Sequence, residues 1–249
     1  MDDKETYLFD LQGYLLVEKA LDSSQIDALD TILEERIASA QAEKAPTHRF
    51  GGLLEWGKPY RDLIDNPTIV PHLEALLGAR FRLDHVYLDI IRTGLSPIGA
   101  TLHGGATPFA PSQYYHYRDG RMHNGLTVVA YNLRDVGPED GGFGCVPGSH
   151  KSNKSFPAEW RAMDKGLHPC ITRVTGPAGS AVVFTEALTH GALPWTGAGE
   201  RRTIFFKYSP HPVSWAAGYF DEFAYDDLSE RQRDILEAPN ARYGGRKKQ

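Results

Sequence analysis

The sequence predicts a mainly β fold, an antiparallel double-sheet barrel with α-helices packed outside it. Three observations lead to this fold class: apolar residues at helical spacing in the N-terminal part, short β-type runs from Phe81 onward, and turn residues between those runs. A chain of 249 residues has a normal length for one such barrel. Because no internal repeat, low-complexity segment or long linker divides the chain, we expect a single domain over residues 1–249.

The N-terminal part is predicted to contain one short strand and two helices. Apolar residues recur at helical spacing in both helical stretches, and small polar residues or a glycine mark their ends. The predicted elements are a strand at 13–18, a helix from an N-cap among Asp22, Ser23 and Ser24 to Ile37, a loop at 41–58, and a helix from about Pro67 to a stop at Gly78.

From Phe81 the pattern changes to short apolar runs of the kind that form strands. Clusters of glycine and proline separate these runs at 137–142, 147–149 and 176–179, as expected for turns between antiparallel strands. The predicted strands lie at 87–91, 126–133, 143–146, 170–174, 180–184 and 202–208, and a last short helix lies at 229–236.

The composition argues against several functional classes. The 27 Lys and Arg residues against 32 Asp and Glu give a net charge of −5, which provides no electrostatic basis for binding a nucleic acid polymer. Two cysteines, Cys145 and Cys170, are too few for a disulfide framework or a cysteine-based zinc site. The N-terminus does not resemble a signal peptide, and no run of about 18 apolar residues predicts a membrane span. We expect a cytoplasmic protein with a solvated basic tail at Arg246–Lys248.

Two histidines and an arginine are notable for their positions relative to the predicted strands. His103 lies at the mouth of one strand, His190 follows a later apolar strand, and Arg201 begins the next strand. Neutral imidazole is a good ligand for ferrous iron, and two histidines leave coordination positions open for a cosubstrate and O2. This order of residues is typical of non-heme iron enzymes that use 2-oxoglutarate.

The chain resembles the phytanoyl-CoA dioxygenase family of 2-oxoglutarate-dependent oxygenases along nearly its whole length. The stretches that carry the resemblance are Gly13–Val17, Leu76–Gly78, Asp140–Phe143, Val146–Lys151, and the segment from His190 to Arg201 and Arg202. The resemblance implies a double-stranded β-helix, the jelly-roll or cupin-like barrel, with flanking α-helices. It also implies Fe(II), 2-oxoglutarate and O2 as cofactors.

The same resemblance suggests roles for individual residues. His103 and His190 match the family's iron ligands, and Arg201 matches the arginine that binds the distal carboxylate of 2-oxoglutarate. A planar guanidinium suits this role because it donates two parallel hydrogen bonds to a carboxylate. Strand alternation would place Thr203 beside Arg201 in the cosubstrate site. Arg202 would face the other way, and it is the alternative if the register differs by one.

The chain departs from the family at Gly105, where the usual His-x-Asp motif has its carboxylate ligand. The leading hypothesis is that chloride takes this position, as in iron halogenases with Ala or Gly there. Gly105 would then be the catalytic feature of an enzyme that chlorinates an unactivated C–H bond of a free small molecule. The alternatives are a hydroxylase that takes a carboxylate or water from elsewhere, and a non-catalytic binding module. Glu186 is a weak candidate for such a carboxylate, because four residues of continuous strand before His190 span about 13 Å.

Two other histidine-containing segments have separate interpretations. His150, in the Pro-Gly-Ser-His turn, is expected to be structural. The stretch 114–123, with His116 and His123, is expected either to cover the site as a loop and contact a polar or anionic small molecule such as a nucleotide, or to be an ordinary solvated loop. The sequence does not specify the substrate, the halide or the oligomeric state.

Overall fold

The computed structural model describes residues 1–92, 101–163 and 166–241. It contains two main antiparallel sheets, with helices against the larger one, and a separate two-stranded hairpin. The strands are β1 (Tyr14–Val17), β2 (Thr47–Phe50), β3 (Phe81–Ile91), β4 (Tyr115–Arg118), β5 (Arg121–Asn124), β6 (Thr127–Asn132), β7 (Gly142–Cys145), β8 (Thr172–Val174), β9 (Ala181–Thr185), β10 (His190–Leu193) and β11 (Arg201–Pro210). The helices are α1 (Asp3–Gln12), α2 (Ser23–Ser39), α3 (Lys58–Arg61), α4 (Val70–Leu77) and α5 (Glu230–Leu236), with short 3-10 turns at Leu53–Trp56, Ser149–Lys151 and Ala158–Trp160.

The larger sheet separates two hydrophobic layers. Its strand order is β1-β9-β6-β11-β3-β2, and every neighbouring pair is antiparallel. Successive side chains of a strand point to opposite faces. On β11, Ile204 and Phe206 therefore pack into the layer shared with the helices, whereas Phe205 packs into the second layer.

The smaller sheet, in the order β10-β7-β8, covers the other face of the larger sheet. Its side chains Phe143, Cys145 and Val174 pack with Val182 and Phe184 from β9. The double-stranded β-helix with flanking α-helices predicted from the sequence is confirmed. The space between the two sheets is where the candidate site lies.

All three predicted helices are present, although α4 begins at Val70 and not at about Pro67. Helix α2 begins after Asp22, whose side chain accepts a hydrogen bond from the amide of Gln25, and α4 ends at Gly78. The sequence interpretation missed α1, although Asp2 and Glu5 form a capping box that marks its start.

The prediction of a loop at 41–58 was wrong in part, because strand β2, a 3-10 turn and the first residue of α3 lie within it. Strand β2 is short and lies at the edge of the larger sheet, where it pairs with β3. Such a strand depends on its neighbour and carries little periodicity of its own.

The stretch 114–123 was predicted as a loop but forms mainly a β-hairpin of β4 and β5. Asp119 and Gly120 at its tip have φ angles of 54° and 77°. Positive φ at both central residues is typical of the two-residue hairpin turn, and Asp-Gly is one of its preferred sequences. The signal for this hairpin was therefore in the sequence.

The longest described helix, α2, has 17 residues, and its buried side chains Leu29, Leu33 and Ile37 lie on one face. Among the described helices, none has the length and apolar character needed to cross a lipid bilayer. The basic tail predicted at Arg246–Lys248 lies outside the described residues.

Candidate metal centre

Two backbone hydrogen bonds bring the candidate metal histidines side by side. The amide of His103 donates to the carbonyl of His190 at 2.8 Å, and the amide of His190 donates to the carbonyl of His103 at 2.9 Å. Residues paired in this way on antiparallel segments project their side chains to the same face. The centroids of the two imidazole rings accordingly lie 4.3 Å apart.

Hydrogen bonds to carbonyl groups leave one nitrogen of each ring free. Nδ1 of His190 lies 2.7 Å from the carbonyl oxygen of Leu188, and Nδ1 of His103 lies 3.3 Å from that of Thr101. Because a carbonyl oxygen can only accept, Nδ1 carries the proton in both rings and Nε2 presents a lone pair. Burial lowers the pKa of His190 to about 4, which keeps that ring neutral. Neutral imidazole is the form that binds a metal.

A buried carboxylate, Glu186, joins the two histidines. One donor atom from each of His103, Glu186 and His190 lies within 4.8 Å of the other two, and no other group of three metal-ligating side chains occurs in the described residues. Oε2 of Glu186 is 3.9 Å from Nε2 of His190. Two histidines and one carboxylate are the donor set of non-heme Fe(II) oxygenases, so these residues fit a ferrous ion.

The expectation that Glu186 lies too far from His190 was wrong, because the chain turns between them. Strand β9 ends at Thr185 and strand β10 begins at His190. In between, the amide of Leu188 donates to the carbonyl of Thr185 at 2.9 Å. A turn of this kind brings its ends closer together than four residues of extended strand.

Lys207 provides the countercharge for the buried Glu186. Its Nζ lies 2.5 Å from Oε1 of Glu186, and the two side chains are only 12% and 4% exposed. Burial alone would raise the pKa of Glu186, but attraction to Lys207 outweighs it and lowers the pKa to about 2. The carboxylate is therefore ionised at neutral pH.

Two glycines allow the chain after the first histidine to lie against this turn. Gly104 has a φ of 75°, and a Cβ atom there would come within 2.5 Å of the carbonyl oxygen of Leu188 and 2.9 Å of that of Glu186. Gly105 has a φ of 115°, and its Cβ atom would lie 3.0 Å from Oγ1 of Thr189. Glycine adopts such positive φ angles at little cost. The backbone conformation therefore gives Gly105 a structural reason to be glycine.

The neighbouring arginines of β11 lie on opposite faces of the larger sheet. Arg201 lines the cavity that also contains His103 and His190. It is 3% exposed, and within the described chain it forms no ion pair and its Nε has no hydrogen-bond partner. On the other face, Arg202 forms ion pairs with Asp30, Glu34 and Glu200.

The environment of Arg201 suits an anionic ligand. Burial lowers the pKa of its guanidinium to about 10, so the group stays charged at neutral pH. A buried charge without a partner is unfavourable, and binding an anion would relieve this. Thr203, two residues along the same face of the strand, is fully buried, and its Oγ1 likewise lacks a hydrogen-bond partner in the described residues.

The remaining walls of the cavity are an ion pair and a group of aromatic rings. Arg49 donates two hydrogen bonds of 2.7 Å to Asp89, so their charges offset each other. The guanidinium of Arg49 lies 4.1 Å from the ring centroid of Tyr87, which stacks on Phe205 at 4.7 Å. The sequence interpretation did not identify Arg49, Asp89, Tyr87 or Lys207 as site residues.

The other histidines predicted from the sequence lie away from this donor group. His150 is fully buried, and its Nε2 donates to the carbonyl of Asp10 at 3.1 Å, which is a structural contact. His116, on the hairpin, stacks with Phe109 and Tyr114 along a separate cleft of about 630 Å³. That cleft also includes Ala106 and Thr107, which follow the His103 segment closely in the chain.

Comparisons with known proteins identify the family of the chain. The family model of phytanoyl-CoA dioxygenase (PhyH) matches residues 9–203. The chain belongs to the phytanoyl-CoA dioxygenase family. By that membership it is an oxygenase dependent on Fe(II) and 2-oxoglutarate. No curated protein sequence matches the chain significantly.

Several solved structures share the fold of this family member. HygX from Streptomyces hygroscopicus with nickel and 2-oxoglutarate bound superposes with a TM-score of 0.76, at 24% identity over 86% of this chain and 89% of that chain. The structure of the same protein with nickel, 2-oxoglutarate and hygromycin B bound superposes with a TM-score of 0.72, at the same identity and coverage. Its structure with iron bound superposes with a TM-score of 0.73, at 24% identity over 86% of this chain and 88% of that chain. At this level of identity the likeness supports the fold.

The interpretation of this family member as a chloride-dependent halogenase is not supported. That hypothesis rested on the lack of a protein carboxylate at Gly105, whereas the structure has Glu186 beside the two histidines. Glu186 was only a weak candidate for the carboxylate ligand in the sequence, because a continuous strand was assumed between it and His190.

Proposed function

We propose that the protein is an Fe(II)- and 2-oxoglutarate-dependent hydroxylase of a small molecule, with His103, Glu186 and His190 as the three metal ligands. The observation that carries this proposal is the buried, ionised carboxylate of Glu186 within reach of both imidazoles. A protein carboxylate in the donor set distinguishes a hydroxylase from a halogenase, whose halide needs that position. Chloride is accordingly not a cofactor in this proposal.

Each residue of the site has a defined task in this proposal. The carbonyl groups of Leu188 and Thr101 hold the two imidazoles as ligands through Nε2. Arg201 and Thr203 bind the distal carboxylate of 2-oxoglutarate, since both are buried and without partners in the described chain. A ferrous ion bound by these ligands would supply the oxidising power for hydroxylation through O2 and 2-oxoglutarate.

The structures of HygX support the same cofactors and a small-molecule substrate. They contain iron, or nickel with 2-oxoglutarate, and one of them also contains hygromycin B. In this chain the cleft of about 630 Å³ beside Ala106 and Thr107 is a candidate substrate region. Its aromatic side chains Phe109, Tyr114 and His116 suit a substrate with flat or ring-shaped faces.

Metal binding under nitrogen tests this donor set directly. Ferrous iron plus 2-oxoglutarate should give the weak visible charge-transfer band of bidentate chelation. His103→Ala, His190→Ala and Glu186→Ala should each abolish the band and lower iron content, whereas His116→Ala, on the hairpin, should retain both. Normal iron content in all three ligand variants would reject the proposed site.

The cosubstrate residue is tested by comparing the two adjacent arginines. Loss of a charge-assisted pair in a buried site costs roughly 2–5 kcal/mol, so Arg201→Ala should raise the 2-oxoglutarate requirement by at least tenfold. Arg202→Ala should leave it nearly unchanged, because that side chain faces helix α2. The opposite result would assign the cosubstrate to the other face of β11.

The reaction type is tested by mass spectrometry of turnover mixtures with candidate small molecules, with and without chloride. A hydroxylated product whose yield is independent of chloride is the expected result. A chlorinated product from the same substrate would overturn the hydroxylase assignment and restore the halogenase hypothesis.

A further inference from the structure

We propose that Lys207 is a positioning residue that restricts Glu186 to one metal-binding oxygen and so keeps a coordination position open for 2-oxoglutarate. This inference rests on the proposed function, because it requires Glu186 to be a metal ligand. It assigns a task to a lysine that the usual histidine and carboxylate donor set does not include.

The two oxygens of Glu186 have different environments. Oε1 accepts a hydrogen bond from Nζ of Lys207 at 2.5 Å, whereas Oε2 lies on the side of His190, 3.9 Å from its Nε2. Carboxylates bind metal ions through one oxygen or through both. A charge-assisted hydrogen bond to Oε1 leaves Oε2 as the oxygen that is free to bind.

The surroundings of Lys207 hold its ammonium beside Oε1 of Glu186. Its ammonium lies 5.3 Å from the ring centroid of Tyr87, and that ring is itself stacked on Phe205. The ammonium therefore lies between two groups of the site, the carboxylate of Glu186 and the ring of Tyr87.

The geometry of β11 separates this lysine from the arginine that we assign to 2-oxoglutarate. Arg201 and Lys207 share the inward face of the strand because their positions differ by an even number. At about 3.3 Å per residue, their Cα atoms lie roughly 20 Å apart along the strand. The ion-pair partner of Lys207 within the site is Glu186, and its ammonium also lies beside the ring of Tyr87.

Removal of the ammonium should change how Glu186 binds the metal. In Lys207→Met, Oε1 loses its donor and both oxygens are available, so the carboxylate should occupy two coordination positions. We expect the visible absorption spectrum of the Co(II) protein, recorded without 2-oxoglutarate, to change. The affinity for Co(II) should be retained, whereas the concentration of 2-oxoglutarate needed to perturb the Co(II) spectrum should rise about tenfold or more.

Two further variants separate positioning from a general effect on the fold. Lys207→Arg keeps a cationic donor and should restore the wild-type Co(II) spectrum. Lys151→Met breaks another lysine–carboxylate pair, with Asp10, away from the donor group, and should leave both the spectrum and the 2-oxoglutarate response unchanged. Circular dichroism of each variant before metal addition establishes that it is folded.

The outcomes distinguish this inference from the proposed function. An unchanged Co(II) spectrum in Lys207→Met, or equal losses of Co(II) and 2-oxoglutarate affinity, would overturn the role of Lys207 and leave the metal site standing. A weaker 2-oxoglutarate response with an unchanged Co(II) spectrum would also overturn it, because the lysine would then act on the cosubstrate. If Glu186→Gln binds Co(II) like the wild type, the proposed ligand set itself fails.

Discussion

Asp84 and Glu186 are both fully buried carboxylates beside a buried cation, and they differ in how many donors surround them. Asp84 pairs with Arg82 at 3.0 Å, as Glu186 pairs with Lys207 at 2.5 Å. Both oxygens of Asp84 also accept further hydrogen bonds, from the ring of His85 and from the amides of Trp215 and Ala216. In contrast, Glu186 accepts one hydrogen bond from the described residues, on Oε1.

The difference shows which buried carboxylate is structural and which is available to a ligand. Asp84 uses both oxygens to tie strand β3 to the hydroxyl of Ser214 and the amides of Trp215 and Ala216, and this saturates the carboxylate. Glu186 keeps one oxygen without a donor, close to His190 and His103. Both carboxyl groups are buried and both have a lowered pKa, so neither property separates them. The number of hydrogen bonds that each carboxylate accepts does separate them, and it is the better criterion for a candidate ligand.

The largest expected effects come from neutralising each carboxylate in turn. Asp84→Asn should lower the free energy of unfolding by roughly 3–5 kcal/mol, because it leaves Arg82 buried without its anion. Its metal affinity should stay at the wild-type value. Glu186→Gln also leaves a buried cation, Lys207, without its anion, but this variant should in addition lose metal affinity by more than about 100-fold, which exceeds the usual effect of residues outside the ligand set. Chemical denaturation of the metal-free variants and metal titration measure the two quantities, and equal losses of stability and affinity in both variants would remove the distinction.

A smaller effect is expected from the glycine that supports the turn of Glu186. Gly104→Ala places a Cβ atom 2.5 Å from the carbonyl oxygen of Leu188, so the turn must shift. We expect the free energy of unfolding to fall by roughly 2–4 kcal/mol and metal binding to weaken. Gly120→Ala is the matched control, since its φ of 77° is similar but no atom lies within 4 Å of the added Cβ. The free energy of unfolding of Gly120→Ala should fall by about 1 kcal/mol, and this variant should bind metal normally. Similar metal affinity in the two variants would contradict a role for Gly104 in positioning Glu186.

The smallest predicted effect extends the comparison to a buried histidine outside the donor group. Burial lowers the pKa of His150 from 6.5 to about 4, so the unfolded chain takes up the proton first as the pH falls. Its contribution to stability is therefore complete above pH 6.5 and decreases towards pH 4. The free energy of unfolding should fall by about 2 kcal/mol from this histidine between pH 7 and pH 5. In His150→Asn, the difference in unfolding free energy between these pH values should be smaller by that amount. Urea denaturation at the two pH values measures it; an unchanged pH dependence in the variant would assign the effect to other groups.

The fold was predictable because its signals are local and repeated. Alternating apolar runs separated by glycine and proline turns identified most strands, and the capping residues identified helix α2. The paired histidines followed from their positions at the ends of such runs. The missed elements include helix α1, the edge strand β2, strand β10 and the hairpin of β4 and β5, whose Asp-Gly turn signal was present but was not used.

The third donor was not predictable in the same way, because the turn between Thr185 and His190 contains neither glycine nor proline. Because Glu186-Ala187-Leu188-Thr189 contains no residue typical of a turn, the distance from Glu186 to His190 was judged as that of a continuous strand. Lys207 carries a clearer signal. It lies at an even spacing from Arg201 on a strand whose inward face is otherwise apolar or small, which marks a charged side chain directed into the barrel.

The two backbone hydrogen bonds between His103 and His190 have a consequence for the entropy of metal binding. The two residues are separated by 87 positions of the chain (103 to 190), and closing a flexible loop of that length costs about 4 kcal/mol. The two hydrogen bonds form when the protein folds, so this loop is already closed before any metal is present. Metal removal by a chelator should therefore leave the barrel folded, and rebinding should order side chains alone.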